Sequence, residues 1–120
     1  MDGASSDGQS MNRESDIQAD ILAHLGALPD VRLWRANVGV AVPVSQLCCE
    51  CRQSCRPVRY GVVGQADLSG IRRGQRIEIE VKNEHGRTSE AQDRFGRMIR
   101  THGGLYVVAR SVEEAINGIR

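Results

Sequence analysis

Hydrophobic positions recur along the chain with two periods. Ile17, Ile21, Leu22, Leu25 and Leu28 repeat at helical spacing and Pro29 closes the run. That pattern predicts a helix over 13–28 with Asn12 as its N-cap. VRLWRAN (31–37) alternates between apolar and polar and predicts a strand, as does the short ADLSGI (66–71). RIEIEVK (76–82) alternates strictly, so Ile77, Ile79 and Val81 take one face and Glu78, Glu80 and Lys82 the other. After a turn containing Gly86, Ser89 and Gln92 have capping-box spacing. Ala91, Phe95, Met98 and Ile99 then predict an amphipathic helix ending near Thr101, and Gly103 with Gly104 stops it. LYVVA (105–109) predicts a buried strand, and Ser111 caps a last helix carrying Val112, Ala115, Ile116 and Ile119. The order α-β-β-β-α-β-α belongs to an α/β domain with a small mixed sheet flanked by helices.

The remaining segments lack either period. Residues 1–12 are small and polar and predict a disordered tail ahead of one domain over 13–120. From Gly39 to Gly64 the chain reads as one long connection, with Pro43, four cysteines and Pro57 in it, and a cysteine-bearing loop at 40–58. A chain of 120 residues supports one core, not two. No apolar run reaches bilayer length, and no basic start precedes an apolar stretch. Membrane and secreted classes are therefore not expected, and a cytoplasmic setting is.

Charge changes this picture locally. The formal net charge is only +1, yet residues 1–30 hold six acids against one arginine and residues 52–76 six arginines against one acid. A basic centre suits phosphate, although on charge alone an ordinary solvated surface is the better account. Of the 16 basic residues, 15 are arginine; Lys82 is the exception. It follows Glu80 by two residues, so both side chains point to the same side of the strand. Taken alone, that face would be a solvent-exposed one. Asp67, however, interrupts a neutral run from Val62 to Ile71, where an acid needs a partner. Adjacent strands would let Asp67 and Glu80 converge on one hard divalent cation. Glu14 and Gln92 occupy inward positions of their helices, three and seven residues before Ile17 and Ile21 and before Phe95 and Ile99.

With these residues in place, Asp67-x12-Glu80-Val-Lys82 resembles the metal-binding signature of the PD-(D/E)XK nucleases. The chain more closely resembles the VRR-NUC domains of phage proteins and DNA-repair nucleases. The matching stretches are Glu14 to Gln18, Trp34 to Gly39, Arg59 to Gly70, Ile79 to Lys82, Ser89 to Gln92, and Gly103 to Val112. They cover about residues 13–119 in the family's order. Gln65-Ala66 departs from the usual pairing in which proline precedes the aspartate, and the cysteine loop is foreign to the family core. The resemblance implies a restriction-endonuclease-like αβββαβ core and a metal-dependent DNA endonuclease. Asp67, Glu80, the Val81 backbone carbonyl and Glu14 would hold Mg²⁺ or Mn²⁺. Lys82 would position the attacking water, and Gln92 would help order it. Products would carry a 5′-phosphate and a 3′-hydroxyl. Branched DNA, including four-way junctions, is the implied substrate, with a homodimer cutting symmetric strands.

Three further features stay open. Arg72, Arg73 and Arg76 flank the strand hairpin, and Arg94, Arg97 and Arg100 form a helical stripe. Each group is a candidate for DNA phosphates or an ordinary solvated face. Aromatic content is 3%, which leaves few residues to stack on bases and favours recognition of DNA shape. Cys48, Cys49, Cys51 and Cys55 are either a Zn²⁺ site of unusual spacing or free thiols, disulfides being disfavoured in a reducing compartment. Two rival functions accompany the nuclease: a non-catalytic nucleic-acid-binding module on the same fold, and a zinc-ribbon-like interaction protein.

Overall fold

Alternation in residues 75–81 decides the architecture. In the computed structural model, which describes residues 13–36, 39–41 and 58–120, Ile77, Ile79 and Val81 are fully buried. Glu78 and Glu80 on the opposite side are buried as well. A strand covered on both faces must lie inside a sheet with helices on each side. The elements are α1 (Glu14–Gly26), β1 (Val31–Arg35), β2 (Gly39–Ala41), β3 (Val58–Tyr60), β4 (Leu68–Arg72), β5 (Gln75–Val81), α2 (Glu90–Thr101), β6 (Leu105–Ala109) and α3 (Val112–Ile119). The main sheet has the order β1-β4-β5-β6. Its first three strands are antiparallel, and β6 joins β5 in parallel, with α2 as the crossover that parallel strands require. The molecule is therefore mixed α/β, a four-stranded mixed sheet flanked by helices. No helix among the described residues is long and apolar enough to cross a membrane.

The two faces are packed unequally. On one, Ile21 and Leu25 of α1 and Ala115 and Ile119 of α3 meet Val31, Leu68, Ile77, Ile79, Val81 and Ala109 in the main core. Truncating a residue such as Ile79 to alanine would cost about 2–5 kcal/mol. On the other, α2 lays Phe95 and Ile99 on Tyr106, Ala66 and Val108. Phe95 and Tyr106 meet edge to face, with ring centroids 6.2 Å apart.

Local signals explain where elements start. Ser89 accepts from the Gln92 backbone while the Gln92 side chain accepts from the Ser89 backbone, a complete capping box. Ser111 accepts from the Glu114 backbone at 3.1 Å and starts α3. The first helix differs from expectation: Arg13 takes the N-cap position without a side-chain bond, Asn12 lies outside the described residues, and the helix ends at Gly26. Strand β1 stops at Arg35, not residue 37. The expected long connection from Gly39 to Gly64 is also corrected. Its two ends form a separate two-stranded antiparallel sheet, with Gly39 opposite Tyr60 and Ala41 opposite Val58. Three residues per strand are too few for a sequence period to reveal.

Candidate functional site

Antiparallel pairing puts the start of β4 beside the end of β5, and Asp67 stands one residue ahead of β4. Its carboxylate oxygen Oδ2 accepts from the Val81 N–H at 2.9 Å, where a further strand residue would have offered a carbonyl. Its own carbonyl accepts from Ala36 N–H at 2.9 Å. Asp67 is thereby pinned to the backbone that follows Glu80.

Glu80 projects beneath the start of α2 and is 2% exposed. One of its oxygens, Oε2, accepts from Gln92 Nε2 at 2.8 Å and lies 3.4 Å from Lys82 Nζ. The other, Oε1, is buried without a hydrogen-bond partner among the described residues. Burial, then the Asp67 charge, raise the Glu80 carboxyl to about 7; Lys82 opposes the rise and Glu14 adds to it. Lys82 is held in place by a backbone bond to Ala109 and by burial of its stem, with its side chain 12% exposed.

Glu14 arrives from the first turn of α1. Its Oε2 accepts a long bond, 3.4 Å, from Asn83 N–H. It meets Lys82 at Gly86: a Cβ there would lie 2.9 Å from Glu14 Oε2 and 3.2 Å from Lys82 Cδ. Arg110 secures that turn by donating to the Gly86 carbonyl at 2.9 Å. The approach of the loop ahead of Asp67 to α2 depends on Gly64, with φ of +82° and space for no side chain against the Ala91 carbonyl.

Glu14, Asp67, Glu80, Lys82 and Gln92 thus come together from α1, the start of β4, the end of β5 and α2. The Val81 backbone lies in the same cluster. The arginines do not join it. Arg72 and Arg73 sit at the other end of β4, both on Asp30, at 3.0 and 3.2 Å. Arg76 gives its Nε to buried Glu78 at 2.6 Å, and Ser69 donates to the same carboxylate at 3.0 Å. Arg94 and Arg97 are exposed on α2. Arg100 donates to the Tyr106 carbonyl at 3.3 Å and covers its ring at 5.3 Å. Cys48, Cys49, Cys51 and Cys55 lie outside the described residues.

Two contributors escaped the sequence pattern. Gly86 reads there only as a turn residue, although its position shortly after Lys82 is a signal once Glu14 is placed inward. Tyr106 reads as an apolar strand residue. Its hydroxyl is buried and without a partner, and burial followed by the Glu80 charge pushes it up to about 12.

Among the described residues no three His, Cys, Asp or Glu side chains already form a metal cage. The donor set nevertheless fits a hard divalent cation, which takes one or two carboxylates and completes its shell with water and phosphate oxygens. The fit rests on Glu80 Oε1, a buried carboxylate oxygen that no protein donor satisfies. Comparison of the chain with known protein-family models and with curated proteins found no match.

Proposed function

We propose that the protein is a metal-dependent DNA endonuclease with a restriction-endonuclease-like core of the VRR-NUC type. One observation carries the proposal: Glu80, buried beside Asp67 and Lys82, has one oxygen held by Gln92 and the other left without a donor. A solvated strand face would have no reason to bury that group. The chain order of α1, β1, β4, β5, α2 and β6, three antiparallel strands and then a parallel one, supports the αβββαβ comparison.

Asp67 and Glu80 would hold Mg²⁺ or Mn²⁺, with the Val81 carbonyl and Glu14 completing the protein's share. When bound, such an ion lowers the pKa of water and offsets charge on the phosphodiester. The chain's own residues do the rest. Gln92 fixes the rotamer of Glu80 by occupying Oε2. Lys82 keeps a compact ammonium beside the same oxygen, from which it can orient a water toward phosphorus or meet charge developing on the phosphoryl group. Gly86 lies against the lysine stem, at the turn that Glu14 also reaches. Branched DNA or four-way junctions are the proposed substrates.

The test uses linear, flapped and four-way-junction DNA with and without Mg²⁺. Cleavage is expected only with the ion, and Asp67→Asn or Lys82→Ala should slow it by about 100-fold or more. Lys82→Arg should not restore it, because a guanidinium is broader and differently hydrated. Metal-dependent cleavage unchanged in the Asp67 and Lys82 variants would overturn the assignment. Tight DNA binding with no cleavage would instead identify a non-catalytic module.

A further inference from the structure

On the face of the sheet that carries the acids, Ser69 and Glu78 are buried, while Trp34, Arg32, Ile71 and Arg76 stay accessible. Helix α2 packs on β5 and β6, and it makes no substantial contact with β1 or β4. Residues of β1 and β4 that point to that side are fixed by register. Leu33 and Val31 pack into the main core, so Arg32 and Trp34 face the other way. Trp34 stands opposite Ser69, and Arg32 opposite Ile71. Ile71 in turn stands opposite Arg76, and Ser69 opposite Glu78. The exposures are unusual for such residues: Trp34 is 44% exposed and Ile71 43% exposed. Arg32 is exposed and half of the Arg76 side chain is accessible.

We propose that the accessible edge of this face receives a DNA strand, with one unpaired base stacked on Trp34 and a neighbouring phosphate met by Arg32. The nature of the occupant rests on the nuclease reading above. Three observations favour it. First, the patch sets an aromatic plane beside the exposed Arg32, and its one acid, Glu78, is buried and paired with Arg76, with Ser69 donating to it. Stacking on an exposed aromatic and pairing of phosphate with arginine are the two interactions that hold single-stranded DNA. Second, the patch is continuous with the acids. Trp34 pairs with Ser69, two residues along the strand from Asp67, a separation of about 7 Å. A strand lying over Trp34 would therefore run directly toward Asp67 and Glu80. Third, Phe95 and Tyr106 are both buried between α2 and the sheet, whereas Trp34 offers a face. A stacked base must be unpaired, which matches flaps, branch points and frayed ends and excludes an intact blunt duplex.

The chain contains one tryptophan, so its fluorescence reports on Trp34 alone. The full chain is titrated in EDTA with oligothymidylate, a flapped duplex and a blunt duplex. Quenching is expected with the first two and not with the third. Trp34→Ala should weaken oligothymidylate binding roughly tenfold, and Trp34→Phe should keep most of the affinity. Arg32→Ala should lower the slope of log affinity against log salt by about one. Arg32 is preferred to Arg76 here because removing Arg76 would leave buried Glu78 short of its counter-charge. Equal quenching by heparin, equal quenching by the blunt duplex, or unchanged affinity in Trp34→Ala would each overturn the proposal. Mg²⁺-dependent cleavage is measured alongside. Quenching without cleavage would keep this surface and remove the nuclease reading. Cleavage without quenching, at a rate Trp34→Ala leaves unchanged, would remove this surface alone.

Discussion

At the scale of single residues, Glu80 carries the largest consequence. The folded protein holds its proton up to about pH 7, whereas the unfolded chain releases it near the ordinary 4.5. Between those values the folded state binds more protons than the unfolded one. Stability contributed by the protonated carboxyl is therefore full below 4.5 and lost as pH rises through 7. Glu80→Gln keeps the shape and never ionises. In EDTA at pH 8 the variant should melt above the wild type, and the gap should close toward pH 5. Adding Mg²⁺ should raise the wild-type melting temperature at pH 8 and leave the variant where it was. Thermal melts over that pH range decide the matter, and equal melting of the two proteins at pH 8 without metal would refute it. The cleavage proposed for the protein should likewise fall as pH drops below 7, because a protonated Glu80 is a poor ligand.

At the scale of elements, Gln92 links a helix start to the acid cluster. Its backbone and Oε1 complete the capping box with Ser89, while Nε2 reaches Glu80. The two duties separate by mutation. Ser89→Ala should cost about 1 kcal/mol in denaturant unfolding and change cleavage little. Gln92→Ala should cost a similar amount and slow cleavage by about tenfold or more, since the Glu80 rotamer loses its donor. Equal rates in both variants would mean that Gln92 only caps. The same elements show what was legible in the sequence. Ser89, Ser111 and Gly103–Gly104 mark boundaries by local chemistry, so α2, β6 and α3 fall where expected. The inward positions of Glu14 and Gln92 followed from helical period, and their convergence with Glu80 follows from it. The pair β2–β3 did not show, because its pairing is between segments far apart in sequence. Burial of Glu78 did not show either: strict alternation looks the same whether the polar face meets water or a helix with matched partners.

At the scale of the molecule, the sheet has one end that gathers the acids and another held by ion pairs. β4 separates them by five residues, about 16 Å. Asp67 stands just ahead of it beside Glu80, and Arg72 closes it against Asp30 and the Ile119 carbonyl. Spacing alone made Arg72 a DNA candidate, because it flanks the hairpin that leads to Glu80. Its partners tie it instead to the turn after α1 and to the end of α3, two places the chain must bring together to close the main core. The hydrogen bond from Arg72 also holds the Asp30 carboxyl below its usual range, with the Arg72 and Arg73 charges adding to it. A carboxyl lowered in this way stabilises the fold above the usual carboxylate range and loses that contribution as pH falls below it. Arg72→Ala should therefore lower the melting temperature by on the order of 5 °C at pH 7. The Asp30 part of that loss should fade as pH falls below the carboxylate range, leaving the part due to the Ile119 carbonyl. Cleavage per folded molecule and the salt dependence of DNA binding should match the wild type, in contrast to Arg32→Ala. A reduced salt slope in Arg72→Ala would mean that DNA wraps the far end of the sheet as well, and that the clamp on Asp30 opens to admit it.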